Sequence, residues 1–337
     1  MPLQPISGFR IAPLQVVAPT AMPVPGDPPV KALQTGDAVT IQHPGGGPFD
    51  ALRAKLGGNA PSLSLQFDAG ATKAVDPTAL RQAAIQGRKP MGVTHDEAFK
   101  VKRAALVQLQ QAQAGSAVAA LATASLAVID GATSASLFRR TEFCDKIFDS
   151  IAVAADDQFL APAVGSSAAT SSRTLANGIV ETRGANAGEE GDLNRVALVQ
   201  VQRLATPGSY VAGLLDANQQ VSRALTSEAD KSQLADQALK EVTSAPDTDF
   251  ILGSTPRIGR SLAKEAQWTL SGSDADRILL KSNALRQIAR IAQPTSRVAA
   301  VANEALRITA AATSVAEQDN ALKNALDAIT MAGDSEF

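Results

Sequence analysis

Residues 273–331 read SDADRILLKSNALRQIARIAQPTSRVAAVANEALRITAAATSVAEQDNALKNALDAITM, and the spacing of their apolar positions decides the fold. Alanine, leucine, valine and isoleucine recur every three to four residues, the period of a helix with one buried face. Ser314 with Glu317 forms a capping box, in which each side chain satisfies a backbone N–H of the first turn that has no helical partner. Asp274 and Asp276 are first-turn acids, favoured there by the helix dipole. Three helices result, over 273–293, 295–312 and 314–331. Connections this short fold consecutive helices against one another, which predicts an up-and-down antiparallel arrangement.

The same pattern extends backwards. Helices are predicted over 192–204, 207–225, 227–243 and 256–270. Thr206-Pro207 and Thr255-Pro256 each place a cap before a first-turn proline, and Gly333 is read as the last C-cap. The expected C-terminal bundle therefore spans 192–333. Residues 162–191 interrupt it with Gly, Ser, Thr and Ala, and Asn177-Gly178 is a strong hairpin-turn signal, so this segment is expected to be irregular with a hairpin. A central helical segment covers 91–161. Thr94 with Glu97 is its capping box, with a helix running to about Gly115 and on toward Gly131. From Leu137, a stripe of Thr141, Cys144, Phe148, Ile151 and Ala155 marks a second helix packed along one seam.

The N-terminal part differs in kind. Ten of the 18 prolines fall in residues 1–48, a density that forbids helix and predicts an extended arm or linker over 1–50. Residues 51–90 read as a small mixed α/β element; Leu63, Leu65 and Phe67 alternate as in a strand, which places a small β element before residue 70. The fold class is thus mainly α: Ala-rich antiparallel helical bundles behind a Pro-rich N-terminal arm. No fixed-period repeat of a named solenoid type is apparent.

Composition narrows function by exclusion. Aromatics make up 4% of the 337 residues, with Trp268 and Tyr210 each alone of its type, so the core must be built from slim aliphatic side chains. A net charge of −2 disfavours non-specific binding to nucleic acid. His43, His95 and Cys144 are the whole supply of histidine and cysteine and show no zinc-ligand spacing, and Cys144 lies in an apolar seam as a buried thiol. Ser261-Leu262-Ala263-Lys264 matches the Ser-x-x-Lys pattern of penicillin-recognising enzymes, but no Lys-Thr-Gly accompanies it. His43-Pro44-Gly45-Gly46-Gly47 lacks the Gly-x-Ser-x-Gly elbow that an esterase loop requires. Residues 184–191 are glycine-rich but acidic and no phosphate loop; Asp247-Thr248-Asp249 and Asp274-Ala275-Asp276 lack the glycine-containing loop of a calcium site. No catalytic, cofactor-binding or metal-binding residue is therefore assigned.

Two stretches stand as interaction candidates. Between residues 277 and 297 every charge is positive, with Arg277, Lys281, Arg286, Arg290 and Arg297 forming a basic patch for an acidic partner or a phosphate. Ala104 to Ile129 carries no charge, and Ala117 to Ile129 is its clean apolar part. Glutamines in the first half leave too short a run to span a bilayer, so a buried helix is favoured over membrane insertion. No classical signal peptide is present, since prolines break residues 1–20, which leaves a cytoplasmic, virion or specialised-export location open. The reading is a non-enzymatic structural or adaptor subunit of a larger bacterial or bacteriophage assembly, acting through helix faces and the N-terminal arm in a homo- or hetero-oligomer. The alternative is an exported effector or translocator of a specialised bacterial secretion system.

Overall fold

Three arginines explain how the helices assemble. Arg81, Arg173 and Arg260 lie in the first helix of three successive sets of four, in a computed structural model that describes residues 75–88, 94–160, 166–182 and 186–337. The expected arm over 1–50, the β element before residue 70 and His43 lie outside the described residues. Repeat I contains α1 (Pro77–Arg88), α2 (His95–Leu109), α3 (Ala117–Gly131) and α4 (Leu137–Ala152), closed by a 3₁₀ turn at Asp156–Phe159. Repeat II contains α5 (Ser166–Glu181), α6 (Ala187–Leu204), α7 (Tyr210–Arg223) and α8 (Glu228–Ser244), with a 3₁₀ turn at Asp247–Phe250. Repeat III contains α9 (Thr255–Trp268), α10 (Asp274–Ile291), α11 (Arg297–Ala311) and α12 (Val315–Thr330), with a 3₁₀ turn at Asp334–Glu336. The described chain is mainly α, and no strand occurs among the described residues.

The three arginines make one clamp three times over. Each guanidinium donates to the carbonyl of an alanine that follows the fourth helix: Arg81 to Ala154 at 2.9 Å, Arg173 to Ala245 at 2.8 Å, and Arg260 to Ala332 at 3.0 Å. Each also pairs with an aspartate two residues on, Asp156, Asp247 or Asp334. Each lies over a phenylalanine ring three residues further, at 4.9 Å (Phe159), 5.0 Å (Phe250) and 5.7 Å (Phe337). The phenylalanine carbonyl then ties down the loop between the second and third helices, accepting from the backbone N–H of Gln113, Thr206 and Gln293. First helix, middle loop and last turn are thereby joined in every repeat.

Serine starts the later helices for a local reason. Ser116, Ser209 and Ser296 cap the third helices by accepting from the N–H three residues on, and Ser136, Ser227 and Ser314 cap the fourth helices in the same way. Gly115 and Gly208 precede two of these caps with φ of +82°, a left-handed conformation that other residues adopt at a cost. Both predicted capping boxes, Thr94 with Glu97 and Ser314 with Glu317, are formed.

Repeats stack in chain order. α3 packs on α5 and α6 and α4 on α5, while α7 packs on α9 and α10 and α8 on α9, so the principal contacts between repeats run only from each repeat to the next. The core is aliphatic, with Phe143, Phe148, Phe159, Tyr210 and Phe250 as its largest buried side chains. Residues Ala74–Phe337 form one compact body.

Several local expectations need correction. The segment 162–191, expected to be irregular with a hairpin, contains helix α5, and Asn177-Gly178 lies within it. Its small residues serve packing rather than turning: a Cβ on Gly178 would stand 3.0 Å from Ile147 Cδ1 of α4, and Ser171 Oγ donates to the Ala117 carbonyl of α3 at 2.9 Å. Tertiary contact here overrides the weak helix propensity of Ser, Thr and Gly. Repeat boundaries also cut across the expected 91–161 and 192–333 divisions. The helix from Thr94 ends at Leu109, and Gln110–Ser116 forms a connecting turn. Thr206-Pro207 belongs to such a turn, with Ser209 as the cap, and Ser254 rather than Thr255 occupies the N-cap of α9. Gly333 opens the final 3₁₀ turn, with Met331 as the C-cap of α12. In the α4 stripe it is Ala154, not Ala155, that is buried.

Candidate functional site

A connected cluster of buried and half-buried polar side chains lies at the seam joining repeats II and III. Tyr210, the first residue of α7, is fully buried, and its hydroxyl donates to Glu241 of α8. Ser261 of α9 stands 2.8 Å from that hydroxyl and donates to the same Glu241 oxygen at 2.6 Å. The Arg257 guanidinium covers the Tyr210 ring at 4.1 Å and pairs with Asp249. Two turns further along α7, Asn218 donates to the Leu234 carbonyl at 2.9 Å and to Glu265 Oε2 at 3.1 Å. The seam between repeats I and II has Ala117, Thr174, Ser125 and Gly178 in place of Tyr210, Ser261, Asn218 and Glu265. The polar cluster thus belongs to one seam and not to the repeat as such.

Its chemistry is that of a sealed contact. Burial, and then the charge of Glu241, push the Tyr210 phenol far above its ordinary range, so it stays protonated. Ser261 has a carboxylate and a phenol as neighbours. Lys264, its partner in the Ser-x-x-Lys pattern, places its ammonium 4.4 Å from the Trp268 ring centroid instead. The adjacent groove, about 690 Å³, is lined by Gly208, Asp216, Gly253 and Ile258 and does not reach Tyr210, Glu241 or Ser261.

The predicted basic patch is dispersed. Arg277 and Lys281 converge on Asp319, at 3.1 and 2.7 Å, and Arg277 also pairs with Asp274. Burial raises the Asp319 carboxyl, and the Lys281 and Arg277 bonds outweigh this and hold it below the usual carboxylate range. Arg297 pairs with Glu336, whereas Arg286 and Arg290 donate to Asn283 and Gln287 on their own helix. Arg286 edges a groove of about 600 Å³ floored by Ile278, Leu279, Leu306 and Val315.

Other candidates sit in structural roles. Cys144 is buried in the α4 seam, and burial pushes its thiol up to about 12. His95 meets the Phe138 ring edge-on at 5.7 Å. Asp247 and Asp249 hold Arg173 and Arg257. Ala117 to Ile129 forms most of α3, almost wholly buried between its neighbours, and no helix among the described residues is long and apolar enough to cross a membrane. No group of three His, Cys, Asp or Glu side chains among the described residues could hold a metal ion.

One outward feature follows the repeat. Two positions at the close of a repeat are apolar and exposed in two repeats each: Val153 (84%) and Met331 (86%) directly before the clamp alanine, where repeat II has Ser244, and Leu160 and Ile251 directly after the closing phenylalanine, with Leu252 (63%) beside Ile251. Single exposed apolar residues are ordinary, and it is the recurrence at equivalent places that sets these apart. Sequence reading missed this row and the Tyr210 cluster. The available signal was the trio of Ala-x-Asp-x-x-Phe segments ending at Phe159, Phe250 and Phe337. Comparison with known proteins finds no matching family model, no similar curated protein and no similar solved structure.

Proposed function

We propose that the protein is a non-enzymatic scaffold or adaptor subunit that binds protein partners along the recurring apolar edge of its helical repeats. The observation that carries this reading is the exposed apolar set Val153 and Met331 at one repeat position and Leu160 and Ile251 at another, with Leu252 beside Ile251, all where a repeat closes. Stacked helical repeats use extended surfaces of this kind, because equivalent positions in successive units fall into line. Membership of a larger bacterial or bacteriophage assembly, with the Pro-rich residues 1–50 as a second contact, remains part of the proposal. The translocator alternative has less behind it, because α3 would have to leave the core to insert.

The test is the native mass of the full chain, together with pull-down by the tagged protein, for wild type and a Val153→Asp/Leu252→Asp/Met331→Asp variant. All three side chains are exposed, so the variant should fold with an unchanged circular dichroism spectrum while losing self-association or partner capture. A wild type that is monomeric at high concentration and captures no partner overturns the reading. So does a triple variant that associates as wild type does.

A further inference from the structure

Two buried acceptors at the seam between repeats II and III lack donors, and they belong to side chains that already touch. Glu265 is 3% exposed, and its Oε2 accepts from Asn218 Nδ2 at 3.1 Å. Its other oxygen, Oε1, is buried without a hydrogen-bond partner, and so is Asn218 Oδ1. A buried carboxylate is an acceptor only, so in the ionised state both atoms stay unsatisfied, and each retains its desolvation penalty. A protonated carboxyl is a donor as well. It can accept from the amide N–H and give its own proton to the amide oxygen, closing a ring of two hydrogen bonds that satisfies both atoms at once.

We propose that a proton on Glu265 closes this two-bond clasp with Asn218 and latches repeat III to repeat II, so that rising pH loosens the seam. Among the surrounding charges, the Lys264 ammonium draws the carboxyl toward ionisation, less strongly than burial and Glu241 oppose it. On α8 stand Glu241, already receiving Tyr210 and Ser261, and Asp230, whose carboxylate oxygens are buried without partners. On α7, Asp216 is exposed and Arg223 lies in the last turn. On α9 itself, Lys264 lies over Trp268 and Arg257 is bound to Asp249. α10 and α12 contribute Lys281 and Asp319, which pair with each other. Burial, with a further contribution from Glu241, pushes the Glu265 carboxyl well above its ordinary range, although the Asn218 bond pulls the other way.

The sign follows from linkage. Once the seam opens, Glu265 regains an ordinary carboxylic acidity, while closed it keeps its proton to higher pH, so opening releases a proton. The latch is therefore fully present at pH below the ordinary glutamate value. It weakens by up to about tenfold in the closed-to-open ratio per pH unit above that, until the closed form also ionises. The seam between repeats I and II, with Gly178 at the place of Glu265, has no such clasp.

Glu265→Gln supplies the test, because a carboxamide can make both bonds with Asn218 at every pH. Hydrogen exchange of α7 and α9 amides, corrected for intrinsic rate, is measured with urea midpoints between about pH 5 and pH 9 on the full chain. Wild type should show seam opening that grows with pH, and Glu265→Gln should show a flat profile with wild-type stability at the acid end. A second variant, Asn218→Leu, removes the clasp. Its deficit against wild type should be largest at acid pH and shrink as pH rises. Parallel slopes for wild type and Glu265→Gln would overturn the proposal. So would failure of Glu265→Gln to fold, since a neutral isostere belongs in this site, or an Asn218→Leu deficit that does not vary with pH.

Discussion

Replacing Phe250 by alanine should cost the protein about 3.5–6 kcal/mol, and the figure can be assembled from the clamp of repeat II. Phe250 is fully buried, and its turn packs against α5 and α7. Removing a buried phenylalanine side chain costs about 3–5 kcal/mol through lost transfer energy and the cavity left behind. The Arg173 guanidinium, 5.0 Å from the ring centroid, loses a cation–π contact worth about 0.5–1 kcal/mol at a partly exposed site. Arg173 keeps its bonds to the Ala245 carbonyl and Asp247, and the Phe250 carbonyl still receives the Thr206 N–H, so the loss stays local. For a body of this size the midpoint of thermal unfolding should fall by roughly 10–15 °C. Calorimetry and guanidinium titration read the change directly. Asp247→Asn is the internal control: its carboxylate is largely exposed, and such pairs contribute about 0–1 kcal/mol. A Phe250→Ala cost below about 1 kcal/mol, or an Asp247→Asn cost as large, would refute the account of the clamp as an apolar anchor with a charged rim.

The other expectations rest on single contacts. Gly178→Leu should destabilise by at least about 1–3 kcal/mol and raise hydrogen exchange in α4 and α5, because even a Cβ there would stand 3.0 Å from Ile147 and 3.3 Å from Phe143; a neutral outcome would show that the seam yields. Cys144, with its thiol pushed up to about 12 by burial, should resist disulfide reagents in the native protein at neutral pH and react in denaturant; rapid native labelling would contradict its burial. Asp319→Ala should cost about 3–5 kcal/mol in chemical denaturation by leaving the buried Lys281 ammonium unpaired, whereas Arg286→Ala should change stability by less than about 0.5 kcal/mol.

Helix starts were legible because their physics is local. A serine or threonine with glutamate three residues on satisfies first-turn N–H groups within one short segment, and the Ser314 and Thr94 boxes read directly. The clamp was harder to read, because it joins residues 72 to 73 apart and leaves as its local trace only the short Ala-x-Asp-x-x-Phe segment that closes each repeat. The Tyr210 cluster spans 31 residues to Glu241 and 51 to Ser261, which no spacing rule reaches. α5 was misread for the opposite reason. Gly, Ser and Thr carry strong local signals for turns, yet here they are small so that α4 can approach, and packing energy decides against propensity.

The two seams show what the repeat leaves free to vary. Between repeats I and II the contact relies on small side chains: Gly131 faces Val196, Gly178 faces Ile147, and Ser171 bonds to the α3 backbone. Between repeats II and III the same helices meet, with Gly213 against Ile258 following that rule, and there the aliphatic contact also carries the Tyr210–Ser261 and Asn218–Glu265 polar pairs. The third helix of repeat III departs further. Arg297 stands where the inner repeats have Ala117 and Tyr210, Glu304 where they have Ala124 and Ala217, and Ile308 is exposed where Val128 and Val221 are buried. Docking two more helices on α11 as α5 and α6 dock on α3 would bury Arg297 and the Glu304–Arg307 ion pair, and desolvating paired charges rarely returns its cost. A partner therefore meets less resistance along the apolar edge than at the α11 face. That directs the proposed binding across the repeats instead of beyond them, and it makes Val153, Leu252 and Met331 the side chains on which the scaffold reading turns.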